Sequence, residues 1–205
     1  MKKLLEWAIL ILIATVVVIF TRIYLFQTFK IPTSSMEATL SPGDRILVNK
    51  FIYGLRIPGF LKKVAKVRQP ERGDVVVFYR FSEFEDIDSN KHFVKRIVAV
   101  PGDKVEIVNF NTYVNGELAH REIKREDLEQ LDNLDNFVQN MSEITISAEH
   151  YFVMGDNFLN SKDSRYFGEI SLNDIEGKVE YIYWSWDPNR GNWSVNKDRV
   201  LKRVN

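Results

Sequence analysis

The feature that most constrains this chain of 205 residues is the apolar run at its start. Residues 4–26 read LLEWAILILIATVVVIFTRIYLF, and charge enters only near the ends, at Glu6 and Arg22. As an α-helix the run would extend roughly 34 Å, against a bilayer hydrocarbon core of roughly 30 Å. Trp7 and Tyr24 fall where interfacial aromatics belong, and Arg22 is placed to snorkel. The basic start Met1-Lys2-Lys3 would also suit a cleaved signal peptide. Residues 21–26, however, carry no small-x-small cleavage pattern, so a retained anchor is the expectation. Lys2, Lys3 and the terminal amine slightly outweigh Arg22 and Lys30, which places the N-terminus on the cytoplasmic side. The chain thus divides into an anchor, residues 1–28, and one domain, residues 29–205, beyond the membrane.

Past the anchor the pattern changes to short β-like runs. They occupy 45–51, 75–79, 92–100, 105–108, 112–114, 151–154 and 179–184. Turn signals punctuate them: Pro42-Gly43-Asp44, Gly73-Asp74, Pro101-Gly102-Asp103, Asn115-Gly116 and Gly155-Asp156. The expectation is a mainly β domain of coiled antiparallel sheets. One segment departs from it. In 125–141, Leu128, Leu131, Leu134, Phe137 and Val138 recur at helical spacing among acids and amides, which predicts a short amphipathic helix inserted in the domain. Residues 82–90 hold Glu83, Glu85, Asp86 and Asp88 without the spacing of a calcium loop, and read as a solvated acidic loop. The apolar stretch 51–61 supports two readings, packing as core or dipping into the bilayer. So do Trp184, Trp186 and Trp193.

Composition narrows the chemistry. There is no cysteine, so neither a thiolate nucleophile nor a thiolate metal site is available. Lys plus Arg and Asp plus Glu are both 28, which offers nucleic acid no net attraction. His92, His120 and His150 lack metal-ligand spacing. No metal and no cofactor are therefore expected. A covalent hydrolase built from this chain would need a hydroxyl nucleophile and a base.

Three stretches could meet that need, though each has a plain reading as well. Thr33-Ser34-Ser35 stands between the Ile31-Pro32 dipeptide and Met36, and by itself is an ordinary polar turn. Lys95 lies in the apolar run 93–100. By strand alternation Phe93, Lys95 and Ile97 share one face, and Val94 and Arg96 the other. Facing inward, its amine would be desolvated and could act as a general base; facing outward, it would be a solvent lysine. The loop 155–168 is rich in turn residues and charge, and in it Asp163 and Arg165 are close enough to pair.

Taken together these stretches resemble the bacterial type I signal peptidases, membrane-bound serine proteases that remove signal peptides from exported proteins. The matching boxes are Ser35-Met36 with Thr39-Leu40 and Gly43-Asp44; residues 72–78, RGDVVVF; Lys95-Arg96 with Pro101-Gly102-Asp103; and Gly155-Asp156-Asn157 with Asn160-Ser161, Asp163-Ser164-Arg165-Tyr166 and Gly168. They follow the family's order directly after an anchor and cover 29 to about 186. Two departures stand out. Ala38 replaces the family's usual proline, and Phe158-Leu159 replace its frequent Arg-Asp.

The resemblance implies roles. Ser35 would be the nucleophile and Lys95 the general base, a Ser/Lys dyad without histidine. The Ser35 amide and the Thr33 hydroxyl would form the oxyanion hole, and Ser161 would orient the Lys95 amine. Asp163 and Arg165 would be a supporting ion pair. Ile31, Pro32, Met36, Leu40, Phe93 and Val94 would wall shallow pockets that admit small side chains. The implied substrates are signal peptides of secreted preproteins, cleaved after small-x-small sites. The implied setting is the bacterial cytoplasmic membrane, crossed once, with the catalytic domain on the outer face beside the lipid bilayer and the protein export machinery. Two rival functions share some of these features. A self-cleaving Ser/Lys repressor would carry a DNA-binding domain where this chain has an anchor. A catalytically degenerate β domain that only binds partners draws support from the two departures alone.

Overall fold

The computed structural model describes residues 2–54, 67–80, 91–119, 138–186 and 194–204. Helix α1, Lys2–Phe20, runs into a π-helical turn, Thr21–Leu25. Together they make an apolar span of 23 residues, Lys3–Leu25, whose most apolar stretch buries none of its residues against the described part of the chain. Such all-round hydrophobicity suits a helix solvated by lipid.

The chain turns from helix to strand without a linker. Strand β1, Phe26–Lys30, starts at the residue after the π-helical turn, so the sheet begins inside the segment assigned to the anchor. The larger sheet adds β2 (Asp44–Asn49), β3 (Val75–Arg80), β4 (Lys91–Ala99), β9 (His150–Met154), β10 (Ile170–Ser171), β11 (Ile175–Ser185) and β12 (Lys202–Arg203). Its order is β1-β2-β11-β3-β4-β9-β10, with β12 on β11 and every pairing antiparallel. The smaller sheet has the order β7-β6-β5-β8, from β5 (Lys104–Val108), β6 (Asn111–Val114), β7 (Glu117–Leu118) and β8 (Met141–Thr145). Asn115 and Gly116, with φ of 54° and 80°, close the β6–β7 hairpin in the way an Asn-Gly pair predicts. Register irregularities in β11 opposite β2 coil the sheet, as bulges do.

Alternation along β3 and β4 splits the interior. Val75, Val77 and Val94 join Ile46, Val48, Val179 and Ile182 in one cluster, which Ile31, Met36 and Leu40 complete from the loop after β1. Val76, Phe78, Phe93 and Ile97 join Tyr53, Tyr151 and Val153 in another. A third lies between the two sheets around Val105, Phe152 and Met154. Each fully buried aliphatic side chain of this kind stabilises the fold by about 1.5–3 kcal/mol.

Some expectations fall elsewhere. Most of the helix predicted at 125–141 lies outside the described residues, and Met141 at its expected end opens β8. The acidic loop 82–90 and Trp193 also lie outside them. Of the apolar stretch 51–61, Tyr53 is core, fully buried with its hydroxyl donating to Asp74 at 2.7 Å, while 55–61 lie outside the described residues. Trp184 and Trp186 meet edge to face, with Trp184 37 % exposed.

Candidate active site

Residues 31–43 form a loop between β1 and β2 that is tied at its base. Ile31 N donates to Asp44 O at 2.9 Å, and Gly43 N to Ile31 O at 3.0 Å. Inside it, Leu40 N donates to Met36 O at 2.7 Å. Met36 and Leu40 are the loop's apolar plugs, 1 % and 0 % exposed. With Met36 drawn into the core, the preceding residue, Ser35, is left half-buried at the surface.

The loop after β9 clamps this turn. Asn157 N donates to Ser35 O at 3.1 Å, and Asn157 Nδ2 to Ser34 O at 3.2 Å. Asn160 Nδ2 donates to Ser34 Oγ at 2.7 Å. From β4, the Arg96 guanidinium grips the Asp156 carboxylate twice at 2.8 Å and donates to Thr39 Oγ1 at 3.0 Å. Arg199 holds the other side, donating to Asp44 Oδ2 at 2.6 Å and Thr39 O at 2.9 Å. Gly155 is obligatory here, because a β-carbon would overlap both Ser161 Oγ and the Ser35 carbonyl oxygen.

Lys95 sits opposite Val76 in the β3–β4 register and is 3 % exposed. Its Nζ donates to Ser35 Oγ at 2.7 Å. Burial pulls its pKa from the ordinary lysine value to about 8; Arg165 adds to this, and Asp163 and Asp156 oppose it. At neutral to mildly alkaline pH a useful fraction is therefore uncharged, and a neutral amine at this position is able to accept a proton from the serine. Thr33 Oγ1 lies 3.5 Å from Ser35 Oγ, on the exposed side of the same turn.

Behind the lysine, Asp163 and Arg165 are almost wholly buried and paired through two hydrogen bonds of 2.8 and 2.9 Å. Asp163 also accepts from Gly155 N at 3.0 Å, which links the pair to the clamp. Phe158, one of the two departures, has its ring 3.8 Å from the Arg165 guanidinium carbon, and its carbonyl accepts from Arg165. The local pairing survives with an aromatic face in place of a charged neighbour.

Two expectations are corrected. Leu40 does not wall the substrate cleft; it faces inward as a core residue, because the loop must bury apolar side chains to hold its shape. Ser161 reaches the site but does not bond to the Lys95 amine. Its buried Oγ packs against Gly155 and has no hydrogen-bond partner among the described residues. Ile31, Pro32, Met36, Phe93 and Val94 do line a cleft of about 560 Å³ that opens on Ser35 and Lys95. Phe29, His92 and Lys162 line it as well, which the sequence reading missed. The period-two pattern from Val94 back to His92 was the available signal for the histidine. Among the described residues no three histidine or carboxylate side chains approach closely enough to hold a metal ion. A serine hydroxyl on a buried low-pKa lysine, beside a cleft with apolar walls, is equipped for acyl transfer to serine.

Comparison with known proteins decides the lineage. The family model described as signal peptidase, peptidase S26 matches residues 4–184. The chain belongs to that family. It is 36 % identical to signal peptidase I of Pseudomonas aeruginosa, over 86 % of this chain and 71 % of that protein. It is 33 % identical to signal peptidase I P of Bacillus subtilis subsp. natto, over 91 % and 92 %. A crystal structure of a signal peptidase I from Enterococcus faecalis V583 aligns at 26 % identity with a TM-score of 0.40, over 54 % of this chain and 97 % of that one. This signal peptidase is a serine endopeptidase that removes signal peptides, and nothing in the comparisons favours the degenerate reading.

Proposed function

We propose that Ser35 attacks the scissile carbonyl of a signal peptide while neutral Lys95 takes its proton. The protonated lysine then returns that proton to the leaving amine, and water with the same base resolves the ester. The 2.7 Å contact between Ser35 Oγ and the buried Lys95 Nζ carries the reading. The Ser35 amide and Thr33 hydroxyl serve as oxyanion donors. Asp163 and Arg165 hold the clamp, and Ser161 shapes the pocket around the amine. The cleft walls, made of Ile31, Pro32, Met36, Phe93 and Val94, admit small side chains, in keeping with cleavage after small-x-small sites. The span Lys3–Leu25 crosses the bacterial cytoplasmic membrane once and keeps the domain on its outer face, beside the lipid and the export machinery. Anchoring raises the effective concentration of enzyme at emerging signal peptides.

Single substitutions test the dyad. Ser35→Ala removes the attacking oxygen, and Lys95→Met the base at similar side-chain length. Each should abolish processing of a preprotein by purified enzyme, and the double variant should lose no more than either single one, because the two act as a unit. Substantial turnover by either variant, free of contaminating protease, would contradict the assignment.

A further inference from the structure

A second cavity lies where the anchor meets the domain. It measures about 620 Å³ and is set in the crook between the π-helical turn and the β1–β2 hairpin. The junction is firmly built. Phe26 N donates to Thr21 O, and Lys50 N to Leu25 O at 2.8 Å, so the widened turn is fixed to the end of β2. π-helical turns of this sort often mark functional positions. Arg22 and Lys50 line the cavity together with Thr21, Gln27 and Thr28, and Ile23 and Phe26 give it an exposed apolar side. Lys50 Nζ donates to the neutral Gln27 Oε1 at 3.0 Å. Among the described residues neither Arg22 nor Lys50 forms an ion pair with a carboxylate.

We propose that this cavity seats the headgroup of an anionic phospholipid from the leaflet on the domain's side. The inference rests on the reading of Lys3–Leu25 as a membrane span. At the end of such a span the chain lies at headgroup depth, where arginine and lysine meet lipid phosphates. Two cations that have no carboxylate partner among the described residues line a space within the roughly 300–1,000 Å³ range of small-molecule sites. The apolar side at Ile23 and Phe26 faces the region that the glycerol and first acyl carbons would occupy. Binding there would brace the domain against the surface at the joint between anchor and sheet.

The test uses the full chain in nanodiscs of phosphatidylcholine doped with phosphatidylglycerol. Lipid retained after release is read by native mass spectrometry. The parent should keep one phosphatidylglycerol in preference to phosphatidylcholine. Arg22→Gln with Lys50→Gln should lower that retention roughly tenfold to thirtyfold, from about one phosphate-facing cation's attraction at each position. Arg22→Lys with Lys50→Arg should restore it, which separates charge from shape, and equal melting temperatures in detergent should show that the variants are folded. Unchanged retention in the glutamine variant, or equal retention of phosphatidylcholine by the parent, would overturn the proposal. Displacement of the lipid by soluble glycerol phosphate would overturn the lipid assignment in favour of a free phosphate ligand. Alkaline extraction runs beside these assays. A parent that leaves the membrane would refute the span itself, whereas a parent that stays while retention is unmoved refutes the headgroup site alone.

Discussion

Ala38 shows how one residue can leave its family's pattern for a local reason. It has φ of 93°, in the left-handed region that L side chains rarely adopt, and follows Met36-Glu37 in a turn closed by Thr39 N donating to Met36 O at 3.1 Å. The family's usual proline, with φ locked near −65°, could not take this path. Ala38→Gly should therefore raise stability by about 1 kcal/mol, by removing the side-chain clash at positive φ. A thermal melt that shows a lower midpoint for the glycine variant would contradict the strained turn. Thr33 carries a different prediction. Thr33→Val keeps the branched shape and deletes the hydroxyl, and kcat should fall by about 10²–10³, the scale of one oxyanion donor. Thr33→Ser should remain active. Parental turnover in the valine variant would reduce Thr33 to a turn residue. At this scale the sequence was informative where chemistry requires a residue type. Ser35 and Lys95 could be paired before any coordinates through the resemblance of their boxes to the signal peptidases; the missing thiol and the apolar run around Lys95 allowed that pairing without deciding it. Leu40 and Ser161 were misjudged because the direction of a loop side chain depends on packing partners far away in the chain.

Among the elements, the strands were the most legible. β2, β3, β4, β5, β6, β9 and β11 coincide with β-branched and aromatic runs ended by Gly, Pro, Asn or Asp. β1 was hidden, because Phe26 continues the apolar run of the anchor and nothing local marks the change of period. β8 was hidden by its own pattern, Met141-Ser142-Glu143-Ile144-Thr145, which has little apolar content. The clamp was beyond sequence reasoning altogether. Arg96 and Asp156 are 60 positions apart and meet because β4 and β9 pair, with Arg96 opposite Met154. That clamp gives the loop 155–168 a positioning part, since it holds Ser35 from behind. Gly155→Ala should force it away from Ser35 and lower kcat by about 10² or more, the cost of displacing a reacting group by about 1 Å. Parental kcat in a folded Gly155→Ala enzyme would show that the close approach has no consequence. Asp163→Asn should act on stability first. It leaves the buried Arg165 without its counter-charge and should cost about 3–5 kcal/mol, measurable by denaturant unfolding. A loss below 1 kcal/mol would mean that solvent reaches the pair.

For the whole molecule, anchor and domain are one continuous structure, because the π-helical turn passes directly into β1. Lysine burial also couples folding to catalysis. The folded-state pKa of Lys95, about 8, lies below its ordinary value of 10.5, so the unfolded chain binds the proton more readily. Folding stability therefore rises with pH between about 8 and 10.5, and below pH 8 the full penalty, about 3 kcal/mol, is present. Lys95→Met removes that penalty, so the variant should be inactive yet at least as stable as the parent near neutral pH. A parent clearly more stable at every pH would make Lys95 a paired structural cation. With Lys95 as the proposed base the same titration would control the enzyme's activity, and its most direct measurement is the pH dependence of kcat/KM for a signal-peptide substrate, which reports the free enzyme. The account predicts an acid limb with an apparent pKa near 8, as Lys95 gains its proton and ceases to accept one from Ser35. Activity that holds level well below that pH, or an acid limb unchanged in a Lys95 variant that still turns over, would contradict it.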